Sequence, residues 1–377
     1  MKLVSIYFKA SEGYLRILFK GSEKVKNTKL VLNKFTTFAM HNTILKQIMK
    51  ESVINTKKRI EYIDFIKTFA MFIVTFGHCA QSLSGEVFPE RIIPKDLFIS
   101  IHMPLFMIAS GFFINIDKIR DSKFGEYILD KAKRLMLPLT SWYAIWCLVT
   151  QNKPATITYT MIYWYLFALF ISLITIKILS TKIKSNNAVL ALAAILVLLI
   201  PSSAVAHINF MFPFLIFGYI LRRYIDNLGT ITLVISGVAF LLLYQIWDIS
   251  HTVYQAPLLI KKIDLPMIYS FLLRFLIGTT GSTFIFILAK KLNNSSLIKM
   301  GAQFGQYTIG FYTMTTILNA ITLNALNHIG FHITNPIMLE LASILLTFVE
   351  MYVIYIFSKT IKPYRILSLI LLGEDKK

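Results

Sequence analysis

Ten apolar runs, most of them close to 20 residues long, constrain this chain more than any other feature. They lie near 62–83, 97–117, 135–151, 158–179, 187–206, 208–221, 229–247, 266–289, 306–326 and 337–358. A helix rises 1.5 Å per residue, so about 20 residues cross a hydrocarbon layer of about 30 Å. The third and sixth runs are short. The pattern predicts an all-α fold: a polytopic membrane helical bundle of about ten transmembrane helices. Composition agrees. Charged residues make up only 15% of the chain, against about 25% in soluble domains. A very apolar soluble enzyme would not repeat runs of this length.

Loop charge tests the count and orients it. The turn after the second run holds Lys118, Arg120, Lys123, Lys131, Lys133 and Arg134. The turns after the fourth, sixth and eighth runs hold Lys177, Lys182 and Lys184, then Arg222 and Arg223, then Lys290, Lys291 and Lys299. Odd-numbered turns are poorer, and 327–336 has no lysine or arginine. The asymmetry predicts cytoplasmic N and C termini. It also accounts for the net charge of +20, which in a soluble protein would suggest nucleic acid; no nucleic-acid partner is expected here.

The ends differ from the bundle. Residues 1–58 are basic and hold no stretch able to span. They read as a cytoplasmic arm touching anionic lipid, or as upstream sequence ahead of a natural start at Met49, which opens "MKESVINTKKRIEYIDFIK". The membrane domain is expected over 59–360, with a short cytoplasmic tail at 361–377. No compact cleavable signal stands at the start. Cys79 and Cys147 both sit in apolar runs, so neither a structural disulfide nor a metal site is expected.

The first run carries chemistry that lipid disfavours. "RIEYIDFIKTFAMFIVTFGHCAQ" places Arg59, Asp64, Lys67 and His78 in one apolar stretch. Charge near the bilayer centre costs about 2.5–3.5 kcal/mol per residue on insertion scales. Arg59 fits a positive-inside anchor. Asp64 and Lys67, three apart, can neutralise each other. His78 stands about 20 Å above Asp64 along the helix axis, in the outer half of the membrane. His102, in "SIHMPLFMIASGFF", enters from outside within the first two turns of the second run, so both histidines are expected at similar depth, around one polar cavity. The alternative is that each satisfies a backbone carbonyl in a packed bundle. Histidine titrates near pH 6.5, and burial favours the neutral ring. Such a ring can deprotonate a sugar hydroxyl attacking a thioester, or take the acyl group itself. In "DKAKRLMLP", Lys131, Lys133 and Arg134 form a basic surface able to hold phosphate, or simply follow the positive-inside bias.

Other polar residues have plainer readings. Arg274 and Glu340 are expected to meet at similar depth and pair, with acceptor binding as the alternative; Glu350 shares the last run with Glu340. Trp164 and Tyr165 suit a sugar face or an aromatic belt. Ser110 and Gly111 permit close helix packing. His207, His251, His328 and His332 read as solvated turn histidines.

In its ordered pieces the chain resembles the acyltransferase-3 family of integral membrane acyltransferases. They are "RIEYIDFIKTFAMFIVTFGHC", "HMPLFMIASGFF", "KAKRLMLP", "WYLFAL", "FPFLIFGYILRR" and "GQYTIGFYTM", running over about 60–360. Within that family it looks most like bacterial fucose 4-O-acetylase-type glycan O-acetyltransferases. The resemblance implies acetyl-CoA as donor with no metal, a glycan or lipid-linked sugar acceptor, and a bacterial cytoplasmic (inner) membrane location. It implies that His78 is catalytic and that Arg59 and Asp64 belong to its site. The family's Arg-x-x-Arg element falls on Lys131 and Arg134, so its first fork is a lysine here. Where the family often has a late histidine, "GFYTMTT" offers Thr315. The donor's phosphates should meet the inner basic surface, with the long pantetheine arm carrying the thioester up toward His78. A transporter or flippase of a lipid-linked saccharide is the rival reading, and an acyl carrier serving a soluble partner is a third. Partners are thus acyl-CoA, the sugar acceptor and membrane lipid; a homo-oligomer is left open.

Overall fold

The structure, a computed structural model, describes residues 59–86, 95–151, 162–198, 207–247 and 265–374. The expected arm at 1–58, the start at Met49 and His251 lie outside them. Residues from Ile60 onward form one compact unit.

Helices fill that unit: α1 (Glu61–Ser84), α2 (Lys95–Gly111), α3 (Ile116–Asp121), α4 (Phe124–Lys131), a π-type turn (Ala132–Met136), α5 (Leu137–Thr150), α6 (Trp164–Lys182), α7 (Asn186–Leu198), α8 (Ile208–Tyr224), α9 (Thr230–Tyr244), α10 (Leu265–Lys291), α11 (Ser296–Gly305), α12 (Thr308–Ile329), α13 (Pro336–Ile361) and α14 (Arg365–Leu372). Each expected run coincides with one of the longer helices. Within α1, α6, α10, α12 and α13 the helix is long and apolar enough to cross a membrane, while α2, α7 and α9 are shorter apolar helices. The short helices α3, α4, α11 and α14 follow the second, eighth and tenth runs, in the basic turns and tail.

Local chemistry sets the helix ends. Asn115, Ser295 and Asn335 cap α3, α11 and α13 by accepting backbone N–H bonds one turn on, and Pro336 fits the first position of α13. Gly85 and Gly330 close α1 and α12 in the left-handed conformation, which glycine adopts without a Cβ penalty.

The central helix is α1, which packs against α2, α10, α11, α12 and α13. Ring contacts of Tyr62 with Phe112 and of Phe76 with Phe98 set α2 antiparallel to it. The bonds Thr75 to Thr315 and Ser82 to Asn319 set α12 parallel to it. At the crossing of α2 and α8, a side-chain carbon on Gly111 would fall on the carbonyl of Leu215, and one on Gly218 on that of Ile108. Two glycines, one per helix, therefore bring the backbones into contact, as small residues do in membranes.

The turns sort as the loop charges predict. Arg120 donates to the carbonyls of Ser180 and Lys184, joining the turns after runs two and four. Arg222 donates to Phe112 O, and Lys290 to Ile225 O and Asp226 Oδ1, adding the turns after runs six and eight. At the opposite end, Ile333 N donates to Leu83 O, joining two odd-numbered turns. Even-numbered turns thus share one basic end. Lys177 corrects the count of loop cations: it is 1% exposed, and its Nζ donates to the carbonyls of Ile119, Arg120 and Ser122. A cation at the C-terminus of α3 satisfies carbonyls that the helix leaves over.

Candidate active site

A cavity of about 350 Å³ opens at the basic end. Its wall takes Asp64 and Lys67 from α1, Phe106 and Ser110 from α2, Arg134 from the π-type turn, Tyr165 from α6, Tyr312 from α12 and Glu374 from beyond α14. The α11–α12 junction, Gly305 to Gly310, completes it.

Its wall holds both charged groups and hydroxyls. Lys67 Nζ lies 3.4 Å from Asp64 Oδ1, the pair that their spacing predicts, and 4.9 Å from the centre of the Phe113 ring. Arg134 Nε lies 2.9 Å from Asp130 Oδ1, and Lys131 Nζ 3.0 Å from Oδ2 of the same carboxylate. Burial works against charge at Asp130, but the hydrogen bond and charge of Lys131, then of Arg134, hold its carboxyl below the usual range. The neutral groups of the wall are linked to one another. Ser110 Oγ and Tyr165 OH stand 2.7 Å apart, and Tyr312 OH accepts from Tyr165 N at 3.1 Å. Tyr163, next to them, donates to Thr313 O.

The structure brings together only part of what the sequence suggested. Of the three expected phosphate ligands, Arg134 lines the cavity, while Lys131 and Lys133 do not. The ammonium of Lys131 lies instead 5.1 Å from the centre of the buried Tyr127 ring. Arg59 is exposed and precedes the compact unit.

His78 and His102 do not line this cavity. Nor are they level. The two ring contacts between α1 and α2 set residue 102 opposite 72, six residues below His78, or about 9 Å along the axis. The error came from counting each histidine from its own end of a run. His102 Nδ1 donates to Phe98 O at 2.7 Å within its own helix. His78 is exposed, and its Nδ1 lies 3.0 Å from Gln81 Oε1. With the carboxamide oxygen accepting, the ring proton is on Nδ1 and the basic lone pair on Nε2. The two residues still belong to the cavity's own helix faces. Asp64, Lys67, Met71, Val74 and His78 form one stripe of α1 at i, i+3 and i+4 steps, and Ser110, Phe106 and His102 one stripe of α2. Met71, fully buried, lies between the cavity and His78.

The remaining residues are structural or unassigned. Arg274 is fully buried; its guanidinium donates to Ile99 O and lies 5.6 Å and 5.1 Å from the rings of Phe210 and Trp247. No Arg274–Glu340 ion pair is present among the described residues. The parallel course of α2 and α10 turns Arg274 toward α2, α8 and α9, while Glu340 is buried on α13. Trp164 does not line the cavity; its ring meets His207 edge-on at 4.9 Å. His207 is a half-buried turn residue in the left-handed conformation (φ 52°). Thr315 bonds Thr75 at 3.1 Å, so a buried hydroxyl pair occupies the place of the late histidine. Glu350, Asn319 and Ser82 form a buried polar chain across α13, α12 and α1. Among the described residues no three His, Cys, Asp or Glu side chains gather as a metal site.

Sequence reasoning missed the hydroxyl cluster and the 305–310 junction. "GQYTIGFYTM" had marked the second, but as a string without a role. Ser110 had been read as a packing residue, and Tyr165 as half of a sugar platform.

An all-helical bundle of apolar helices with a charged cavity at its basic end defines the class, a polytopic membrane protein. Residues 60–356 match the family described as "Acyltransferase domain", so the chain belongs to that family. It is 28% identical over 185 residues to the nodulation protein NolL of Mesorhizobium japonicum, covering 45% of this chain and 49% of that one. It is 25% identical over 183 residues to the nodulation protein NolL of Sinorhizobium fredii, with 44% and 49% covered. The chain thus spans about half the length of the curated relatives it matches. No solved structure matches it.

Proposed function

We propose that this protein moves an acetyl group from acetyl-CoA to a hydroxyl of a cell-surface glycan or its lipid-linked precursor, in the cytoplasmic membrane of a bacterium. The observation that carries this reading is one cavity wall that combines cations with a cluster of linked hydroxyls. Phosphates suit the cations, of which Arg134 offers a planar fork and Lys67 a point charge. The pantetheine arm is uncharged and carries amides. It suits the hydroxyls of Ser110, Tyr165 and Tyr312.

The arm then points along the α1 and α2 stripes toward His102 and His78. His78 Nε2 takes the proton of the attacking sugar hydroxyl, the oxygen–acyl bond forms as the carbon–sulfur bond of the thioester breaks, and the imidazolium returns the proton to the CoA thiolate, which leaves as the thiol. For the arm to pass, Met71 must swing from the stripe, a motion its unbranched side chain allows. The acceptor approaches from the outer side, by His102 and the Trp164–His207 pair. Membership of the acyltransferase family supports this reading over a flippase, which needs no acyl donor.

The test is a His78→Ala strain expressing normal protein levels. Mass spectrometry of its surface glycan should show one acetyl group missing per repeat. Unchanged acetylation would end the proposal.

A further inference from the structure

The cavity has a wall that no family motif marks: the C-terminal segment. Trp142 Nε1 donates to Leu371 O at 2.8 Å, which fixes α14 against α5. Gly373 closes α14 in the left-handed conformation, and a side-chain carbon there would fall on the carbonyl of Arg134. Glycine at 373 thus lets the chain end lie directly against the backbone of the residue expected to hold phosphate. The segment then delivers Glu374 into the cavity wall.

A carboxylate is a poor lining for a phosphate site unless it is replaceable. Glu374 Oε1 lies 3.3 Å from Lys362 Nζ, and both side chains are partly exposed. Lys362 Nζ also donates to Gln306 Oε1 at 3.1 Å and sits 4.8 Å from the Tyr307 ring centre. Gln306 and Tyr307 are themselves in the cavity wall. Lys362 itself does not line the cavity, but its ammonium is held beside it by three residues that do. One of these is an anion that water can reach.

We propose that Lys362 is a binding residue for the phosphate-bearing head of the donor, and that Glu374 is a stand-in anion that the phosphate displaces. This rests on the donor reading above. With the cavity empty, Glu374 neutralises Lys362 and holds the C-terminal segment against the cavity. A phosphate group exchanges for the carboxylate, and the freed segment lets the rest of the donor in.

The test is calorimetric binding of coenzyme A to the full chain in nanodiscs, with pantetheine as the phosphate-free probe. Glu374→Gln should tighten coenzyme A about three- to tenfold, and Lys362→Met should weaken it about tenfold. The double variant should match Lys362→Met, because the carboxylate acts only through that lysine. Both shifts should vanish with pantetheine. Coenzyme A that binds Glu374→Gln no tighter than wild type overturns the stand-in while leaving the donor reading intact. Wild-type protein that binds no coenzyme A overturns both. Variants that respond to phosphatidylglycerol in the disc rather than to coenzyme A would assign the cation to a lipid headgroup and overturn the proposal.

Discussion

At the scale of single residues, the cavity's hydroxyl cluster turns on one hydrogen bond. Ser110 Oγ and Tyr165 OH face each other at 2.7 Å, and Tyr165 also approaches Phe106 O. Tyr165→Phe takes this partner from the Ser110 hydroxyl, and Ser110→Ala leaves Tyr165 only its longer bond to Phe106 O, each at about 1 kcal/mol. Removing both leaves no orphan. Ser110→Ala and Tyr165→Phe should each lower thermal stability and raise the KM for acyl-CoA, and the double variant should lose less than the sum. A double-mutant cycle on melting temperature and KM measures this, and additivity would show that the two hydroxyls act apart.

At the scale of helices, packing and charge make separate demands. Gly77 and Gly111 are both helix glycines in the membrane domain. A Cβ at Gly77 meets nothing within 4 Å, whereas one at Gly111 meets the backbone of α8. Gly77→Ala should therefore be neutral or gain up to about 1 kcal/mol from helix propensity. Gly111→Ala should force α2 from α8 and cost about 1–3 kcal/mol. Melting in detergent, followed by size-exclusion fluorescence, separates the two. The clasp that joins α3 to the α6–α7 turn makes a pH prediction. Asn186 first, then Arg120, hold the Asp117 carboxyl below its usual range by hydrogen bonding. A depressed carboxylate stabilises the fold above its unfolded pKa of about 3.9, and that contribution is lost as pH falls through the lower folded value. Asp117→Asn should then melt below wild type at pH 7, and the two curves should converge once pH falls below both the unfolded and the lowered folded value. The group is fully exposed, so the difference should shrink in high salt.

At the scale of the molecule, what the sequence made legible was set by range. Hydrophobic runs and loop charges are local quantities, and they placed the ten long helices and sorted the turns. Asp64 and Lys67 paired because three residues on one helix fix their distance. What failed required register between helices. His78 and His102 were counted from separate run ends, and the Phe76–Phe98 contact that fixes their offset is not written in either run. Arg274 and Glu340 were matched by depth alone, but depth does not say which way each side chain turns. Glu374 could not be seen at the cavity at all, because a close approach of Gly373 to Arg134 places it there.

The sorting of turns yields a prediction for the whole chain. Cys79 and Cys147 are buried and free, so the wild type should resist a membrane-impermeant maleimide. Lys123 lies in the basic end and Asn327 in the opposite one, and both are exposed. Positive-inside bias makes the first face the cytoplasm. Asn327→Cys should label in intact cells and Lys123→Cys only in inverted vesicles. Donor entry depends on the same orientation, because Arg134 and Lys123 share one basic turn. If Lys123→Cys labelled from outside, the cavity would open away from the cell's acyl-CoA.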